Sequence, residues 1–132
     1  KLYFVLAMGS RPWAGIAADG IGRCAHGLFK RGAEFVGRTV GIAGEHLTGA
    51  QMAAALTRAL GREVLHQDVP FDVYRGLGFP GAEDLGNMFQ FNHDFSADFC
   101  RARSVEFTRS INPQLQSFAD WLALHGRAIP IT

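Results

Sequence analysis

The segment from Thr39 to Val69 constrains the chain more than any other, because it holds a helix with readable start and stop signals between two apolar runs. Thr39-Val40-Gly41-Ile42-Ala43 is rich in β-branched residues and ends at Gly44, the composition of a buried strand. Thr48 followed three residues later by Gln51 is the capping-box spacing, in which two side chains satisfy the free N–H groups of a helix start. Met52, Leu56 and Leu60 then fall at i, i+4 and i+8, flanked by Ala53, Ala55 and Ala59, so one closely packable face is apolar. Gly61 stops the helix, since glycine enters the left-handed conformation without a Cβ penalty. A second strand is expected from Glu63 to Val69. Strands joined by a helical crossover pair in parallel with a right-handed connection, so the segment reads as a βαβ unit and the chain as α/β.

At 132 residues, 48% of them hydrophobic, the chain can bury one core, and residues 1–132 read as a single domain. A net charge of +1, from 13 basic and 12 acidic residues without clustering, leaves no electrostatic footprint for nucleic acid or an anionic membrane. The longest apolar run, Leu2 to Met8, is too short to span a bilayer. Cys24 and Cys100 stand far apart with no C-x-x-C spacing, which points to a reduced, cytoplasmic protein. A chain that begins at Lys1 suggests a piece of something longer.

Leu2 to Met8 predicts a buried strand ended by Gly9 to Pro12. Ile21, Cys24, Ala25, Leu28 and Phe29 predict an amphipathic helix capped by Asp19 or Gly20 and closed by Gly32. Beyond the βαβ unit come a short helix over Asp72 to Leu77, a turn at Phe79-Pro80-Gly81 and a helix over Ala82 to Phe95 with Leu85, Met88 and Phe89 as its apolar face. Ser96 to Ile111 reads either as a broken helix or as irregular chain. Asn112-Pro113 reads as the opening of a last helix, with Phe118, Trp121 and Leu122 on its face and Gly126 at its end.

Catalytic patterns are thin. Gly20-Ile21-Gly22-Arg23-Cys24-Ala25 matches G-x-G-x-x-G/A, with Glu45 downstream, but no buried strand leads into it and Asp19 would face the pyrophosphate. It therefore reads as a helix start and not a phosphate loop. Tyr3 and Tyr74 are followed four residues later by Ala7 and Gly78, so the tyrosine–lysine pair of a proton-transferring dehydrogenase is absent. The five histidines have no ligand spacing with a third partner, which argues against a metal site. Cys24 lies on an apolar stripe and reads as packing.

Two places stay open as binding candidates. Gly44-Glu45-His46-Leu47 is expected at the carboxyl end of a strand, where α/β proteins bind ligands, or is an ordinary βα loop; Glu45 and His46 are its candidate residues. The second is the phenylalanine-rich half after residue 70. Phe89 and Phe91 cannot face the same way on one helix, so Tyr74, Phe79, Asn87 and Phe91 become candidates for a cleft or an interface.

Asp19-Gly20-Ile21-Gly22-Arg23, Val36 to Gly44 leading into Leu47-Thr48, the run Tyr74 to Phe89 containing Gly78-Phe79-Pro80-Gly81-Ala82 and Asn87-Met88-Phe89, and Asn112-Pro113 with Asp120-Trp121-Leu122 together resemble the carboxyl-terminal portion of NmrA-like proteins. These are atypical relatives of short-chain dehydrogenases. The resemblance implies a partial Rossmann-like parallel sheet with a helical, aromatic-rich carboxyl-terminal lobe for substrate or partner. It also implies NAD or NADP as the cofactor of a complete protein that acts as redox sensor or reductase. The family's glycine-rich loop, ribose-binding position and catalytic segment would all precede Lys1, so no cofactor-binding or catalytic residue is assigned in this chain, and no cofactor is expected for it alone. The leading expectation is a truncated or separately encoded carboxyl-terminal lobe that is not catalytic by itself. The alternative is a free-standing, self-associating binding module. A homodimer or a missing amino-terminal domain would cover the incomplete sheet, and a small-molecule ligand remains open to the lobe.

Overall fold

The computed structural model describes residues 1–131. Its sheet is small: β1 (Leu2–Val5) and β4 (Val64–Gln67) pair in parallel, Leu2 opposite Val64 and Val5 opposite Gln67. The α/β fold and its parallel pairing are therefore as expected, with one change of partner. The first strand of the pair is β1, and residues 39–43 form no strand and enter no sheet. The residues read as a loop, Glu45–Leu47, instead form β3, antiparallel to β2 (Trp13–Gly15). Alternation and β-branching mark a segment as extended; they carry no information about which distant segment supplies the hydrogen bonds.

Helix α1 spans Ala18–Lys30 and α2 spans Gly49–Leu60. In α2 the capping box forms as read, Thr48 N–H to Gln51 Oε1 at 2.9 Å and Gln51 N–H to Thr48 Oγ1 at 3.2 Å, and Gly61 closes the helix at φ 66°. The turn into β4 is clasped by the Thr57 hydroxyl, which donates to the Ala53 carbonyl at 2.9 Å and accepts from Val64 N–H at 2.9 Å. In α1 the cap differs from expectation: the N-cap is Ala17, without a side-chain hydrogen bond.

The second half is helical: α3 (Phe71–Arg75), α4 (Ala82–Asp94), α5 (Ser96–Arg101), α6 (Val105–Ile111) and α7 (Phe118–His125). The stretch Ser96 to Ile111 thus resolves into two short helices. Asn112-Pro113 does not open the last one. Asn112 Oδ1 accepts from Gln114 N–H at 3.2 Å inside a turn, and Ser117 with Asp120 forms the capping box that starts α7. Among the described residues no helix is long and apolar enough to cross a membrane.

Main chain that leaves β1 supplies the core. Leu6, Ala7 and Met8 are buried against Phe89, with Phe4, Trp13, Met52, Phe71 and Tyr74 packed around them. The apolar face expected on α4 is narrower than read: Ala82, Gly86, Phe89 and Asn92 face inward, while Leu85 and Met88 are partly exposed. Helix α1 packs on α6 through its glycine side. A Cβ on Gly27 would lie 1.9 Å from the Ile111 carbonyl oxygen, whereas one on Gly22 would meet nothing within 4 Å.

That asymmetry predicts opposite signs for two like substitutions in one helix. Gly27→Ala should lower stability by about 1–3 kcal/mol, as overpacking does. Gly22→Ala should raise it by about 0.5–1 kcal/mol, the helical preference of alanine over glycine. Urea denaturation of the two variants checks this, and a shift of both midpoints in one direction would disprove the docking of α1 through Gly27.

Candidate functional site

The β2–β3 pair brings together two parts of the chain, Trp13 opposite Leu47 and Gly15 opposite Glu45, with Gly44 N–H donating to the Gly15 carbonyl at 2.7 Å. Successive side chains of a strand point to opposite faces. Glu45 and Leu47 accordingly share one side with Trp13 and Gly15, and all four line a cavity of about 350 Å³. His46 turns the other way, its Nε2 lying 2.7 Å from the Arg103 carbonyl oxygen.

Three further elements close the cavity. Ile16 to Ala18 run from β2 into α1, Met52 comes from the first turn of α2, and Gln116, Ser117, Phe118 and Trp121 come from the start of α7. The α7 capping box aims the helix N-terminus at Glu45, which accepts the Phe118 N–H through Oε1. A carboxylate there is favoured both by the hydrogen bond and by the helix dipole. Apart from Gln116 and Ser117 the rest of the wall is apolar and aromatic, and among the described residues no Lys, Arg or His contributes to it. Trp13 Nε1 is buried without a hydrogen-bond partner among the described residues.

The six residues singled out from sequence are divided among separate places. Glu45 lines the cavity and His46 does not. Tyr74 packs edge-on to Phe79 and Phe89, with ring centroids 5.8 and 5.2 Å away. Phe79 and Asn87 border an open depression together with Arg75, which donates to Asn87 Oδ1 at 3.2 Å. Phe91 is 57% exposed and leans on Phe95, with centroids 4.9 Å apart. Trp13, Ile16 and Leu47 escaped the sequence reading because the β2–β3 pairing that unites them is long-range. The Ser117 to Asp120 spacing at the cavity's far wall was legible as a capping box.

Other chemistry is absent from these positions. Gly20 to Ala25 lies wholly inside α1, so its glycines form no phosphate-binding turn. Burial pushes the Cys24 thiol above its ordinary value, and the neighbouring Asn112 side chain only partly offsets that, which disfavours the reactive thiolate. His93 Nδ1 and Asp94 Oδ1 are 3.0 Å apart, yet no group of three metal-ligating side chains occurs among the described residues.

The burial of the two phenylalanines yields a prediction for α4. Phe89→Ala, at a buried position with 7% exposure, should cost about 3–5 kcal/mol. Phe91→Ala should cost about 1 kcal/mol or less, the value of an exposed aromatic pair. Thermal melts distinguish the two, and equal losses would show Phe91 to be core.

Comparison with known proteins adds a lineage. The model of the NmrA-like family matches residues 9–122. Among solved structures, NmrA, a negative transcriptional regulator, superposes with a TM-score of 0.67 at 16% identity, over 92% of this chain and 42% of its own. Triphenylmethane reductase of Citrobacter sp. gives 0.70 at 16% identity, over 96% of this chain and 45% of its own. A nucleoside-diphosphate-sugar epimerase of Staphylococcus aureus gives 0.70 at 17% identity, over 92% and 43%. NmrA has been crystallised with NAD and with NADP, and the reductase with NADP(H). The chain thus spans less than half the length of these proteins.

Proposed function

The chain belongs to the NmrA-like family, and on that footing we propose that it is the carboxyl-terminal, substrate- or partner-binding lobe of an NAD(P)-dependent redox sensor or reductase, completed by a separate dinucleotide-binding half. The observation that carries this reading is an unpaired segment. Thr39 to Ile42 belong to no helix or strand and their backbone groups make no hydrogen bond among the described residues, while the next two amides are tied down, Ala43 N–H to Thr108 Oγ1 at 3.1 Å and Gly44 N–H to the Gly15 carbonyl. Unpaired strand edges are the sites at which a further strand adds.

Helix α1 supports the same reading. Cys24 is buried and Gly27 faces Ile111 of α6, but Ile21, Ala25 and Phe29, at i, i+4 and i+8, belong to the same apolar arc and are exposed, Phe29 by 82%. An amphipathic helix buries its whole stripe in a finished domain. A helix that leads to an edge strand is the unit that extends a parallel sheet while covering its face. In this proposal the strand character of Thr39 to Ala43 is realised on docking to the sheet of the other half. That half supplies the glycine turn, the ribose contact and the hydride chemistry, and the lobe alone is not catalytic. Two buried free thiols, Cys24 and Cys100, fit a reducing, cytoplasmic setting.

Amide exchange tests the edge. In the isolated chain Thr39 to Ile42 should exchange as unprotected backbone and Ala43 and Gly44 slowly, and joining the lobe to a dinucleotide-binding half should protect all six. Fast exchange that persists in the joined protein would end the proposal. A calorimetric titration of the isolated chain with NADPH or NADH should find nothing tighter than about millimolar, some 4 kcal/mol. Micromolar affinity abolished by Gly22→Ala would restore Gly20 to Ala25 as a dinucleotide site.

A second reading, a self-associating binding module, is favoured by the exposed stripe Met88, Phe91 and Phe95 on one side of α4. A two-fold dimer through this stripe would appear in sedimentation at roughly tens of micromolar, where a standard-size interface holds. Monomer alone at that concentration excludes it.

A further inference from the structure

We infer that the cavity between the β2–β3 pair and α7 binds a small aromatic cation, with Glu45 as its counter-ion. Every lining residue belongs to this chain, so the inference stands apart from the docking proposal and fails or holds separately.

The cavity's shape and charge select the ligand. Trp13, Phe118 and Trp121 offer aromatic surface, while Ile16, Leu47 and Met52 supply the apolar remainder, a lining suited to a planar hydrophobic body. Glu45 is the only ionisable side chain in the wall and pairs with no cation among the described residues. One of its oxygens holds Phe118 N–H, and the other makes no protein hydrogen bond among the described residues. A neutral aromatic entering here would strip water from that carboxylate without compensation, whereas a cation pairs with it and is also attracted to the ring faces.

Anions are disfavoured despite the helix N-terminus. Most of the α7 amides that would receive one are already occupied, Phe118 N–H by Glu45 and Asp120 N–H by Ser117 Oγ at 3.0 Å, and Ser117 N–H donates to Asp120 Oδ2 at 3.2 Å, while the remaining first-turn residue, Ala119, is exposed to solvent. The cavity therefore presents a negative lip, the reverse of a phosphate site.

Three probes of one shape separate the charges: tryptamine, indole and indole-3-acetate, titrated into the chain while the Trp13 and Trp121 indole N–H resonances are followed. Tryptamine should shift both resonances and bind about tenfold more tightly than indole-3-acetate. Glu45→Gln keeps an acceptor for Phe118 N–H and should reduce that preference to near unity. Leu47→Trp, filling the cavity from β3, should abolish binding of all three at an unchanged fold, judged from the melt. Equal binding of amine and acid, a preference that survives Glu45→Gln, or tryptamine binding unaffected by Leu47→Trp would each overturn the inference, as would saturation without movement of the Trp13 and Trp121 signals.

Discussion

Everything in this structure depends on the parallel pairing of β1 with β4. Parallel strands cannot be joined by a tight turn, so all of the chain from Leu6 to Glu63 has to run out and return, and α1, β2, β3 and α2 all lie on that excursion. The pairing also sends Leu6, Ala7 and Met8 onward into the interior. There their contact with Phe89 ties the sheet to the helical half. Without the β1–β4 register neither the core nor the β2–β3 pair would have a platform.

The cavity is a by-product of this return path, held open by polar groups that satisfy one another. The Ser117–Asp120 box and the Glu45 carboxylate satisfy the Ser117, Phe118 and Asp120 amides at the start of α7, so the helix can begin beside an apolar wall with those donors paired. The same arrangement holds one carboxylate at the rim of an aromatic enclosure. Stability of the helix start and charge selectivity of the cavity thus come from one side chain.

Much of the local structure was legible in the residues. Thr48, Gln51 and Gly61 delimited α2, because capping and the left-handed stop act within a few residues. The amphipathic spacing of Ile21 to Phe29 marked α1, and its exposed half is where that pattern and the observed packing part company. Asn112-Pro113 misled because a local asparagine–proline pair serves a turn as well as a helix start, while Ser117 and Asp120 supplied a reciprocal pair that a lone N-cap cannot match. Of the six candidate site residues Glu45 alone lies in the cavity, since proximity in the aromatic-rich half was judged by composition and composition does not say which face a residue takes.

The sequence by itself determined the α/β class, the limits of α2, the packing role of Cys24 and the helical fate of Gly20 to Ala25. Each of these follows from hydrogen bonds or periodicity confined to one segment. Only the tertiary structure decided that β1 and not residues 39–43 pairs with β4, that Glu45 faces Trp13 and Phe118 while His46 faces Arg103, and that Phe89 is core while Phe91 is surface. Those outcomes rest on which distant backbone completes a ladder and on the two-residue alternation that the ladder then imposes. No local preference in the chain encodes either.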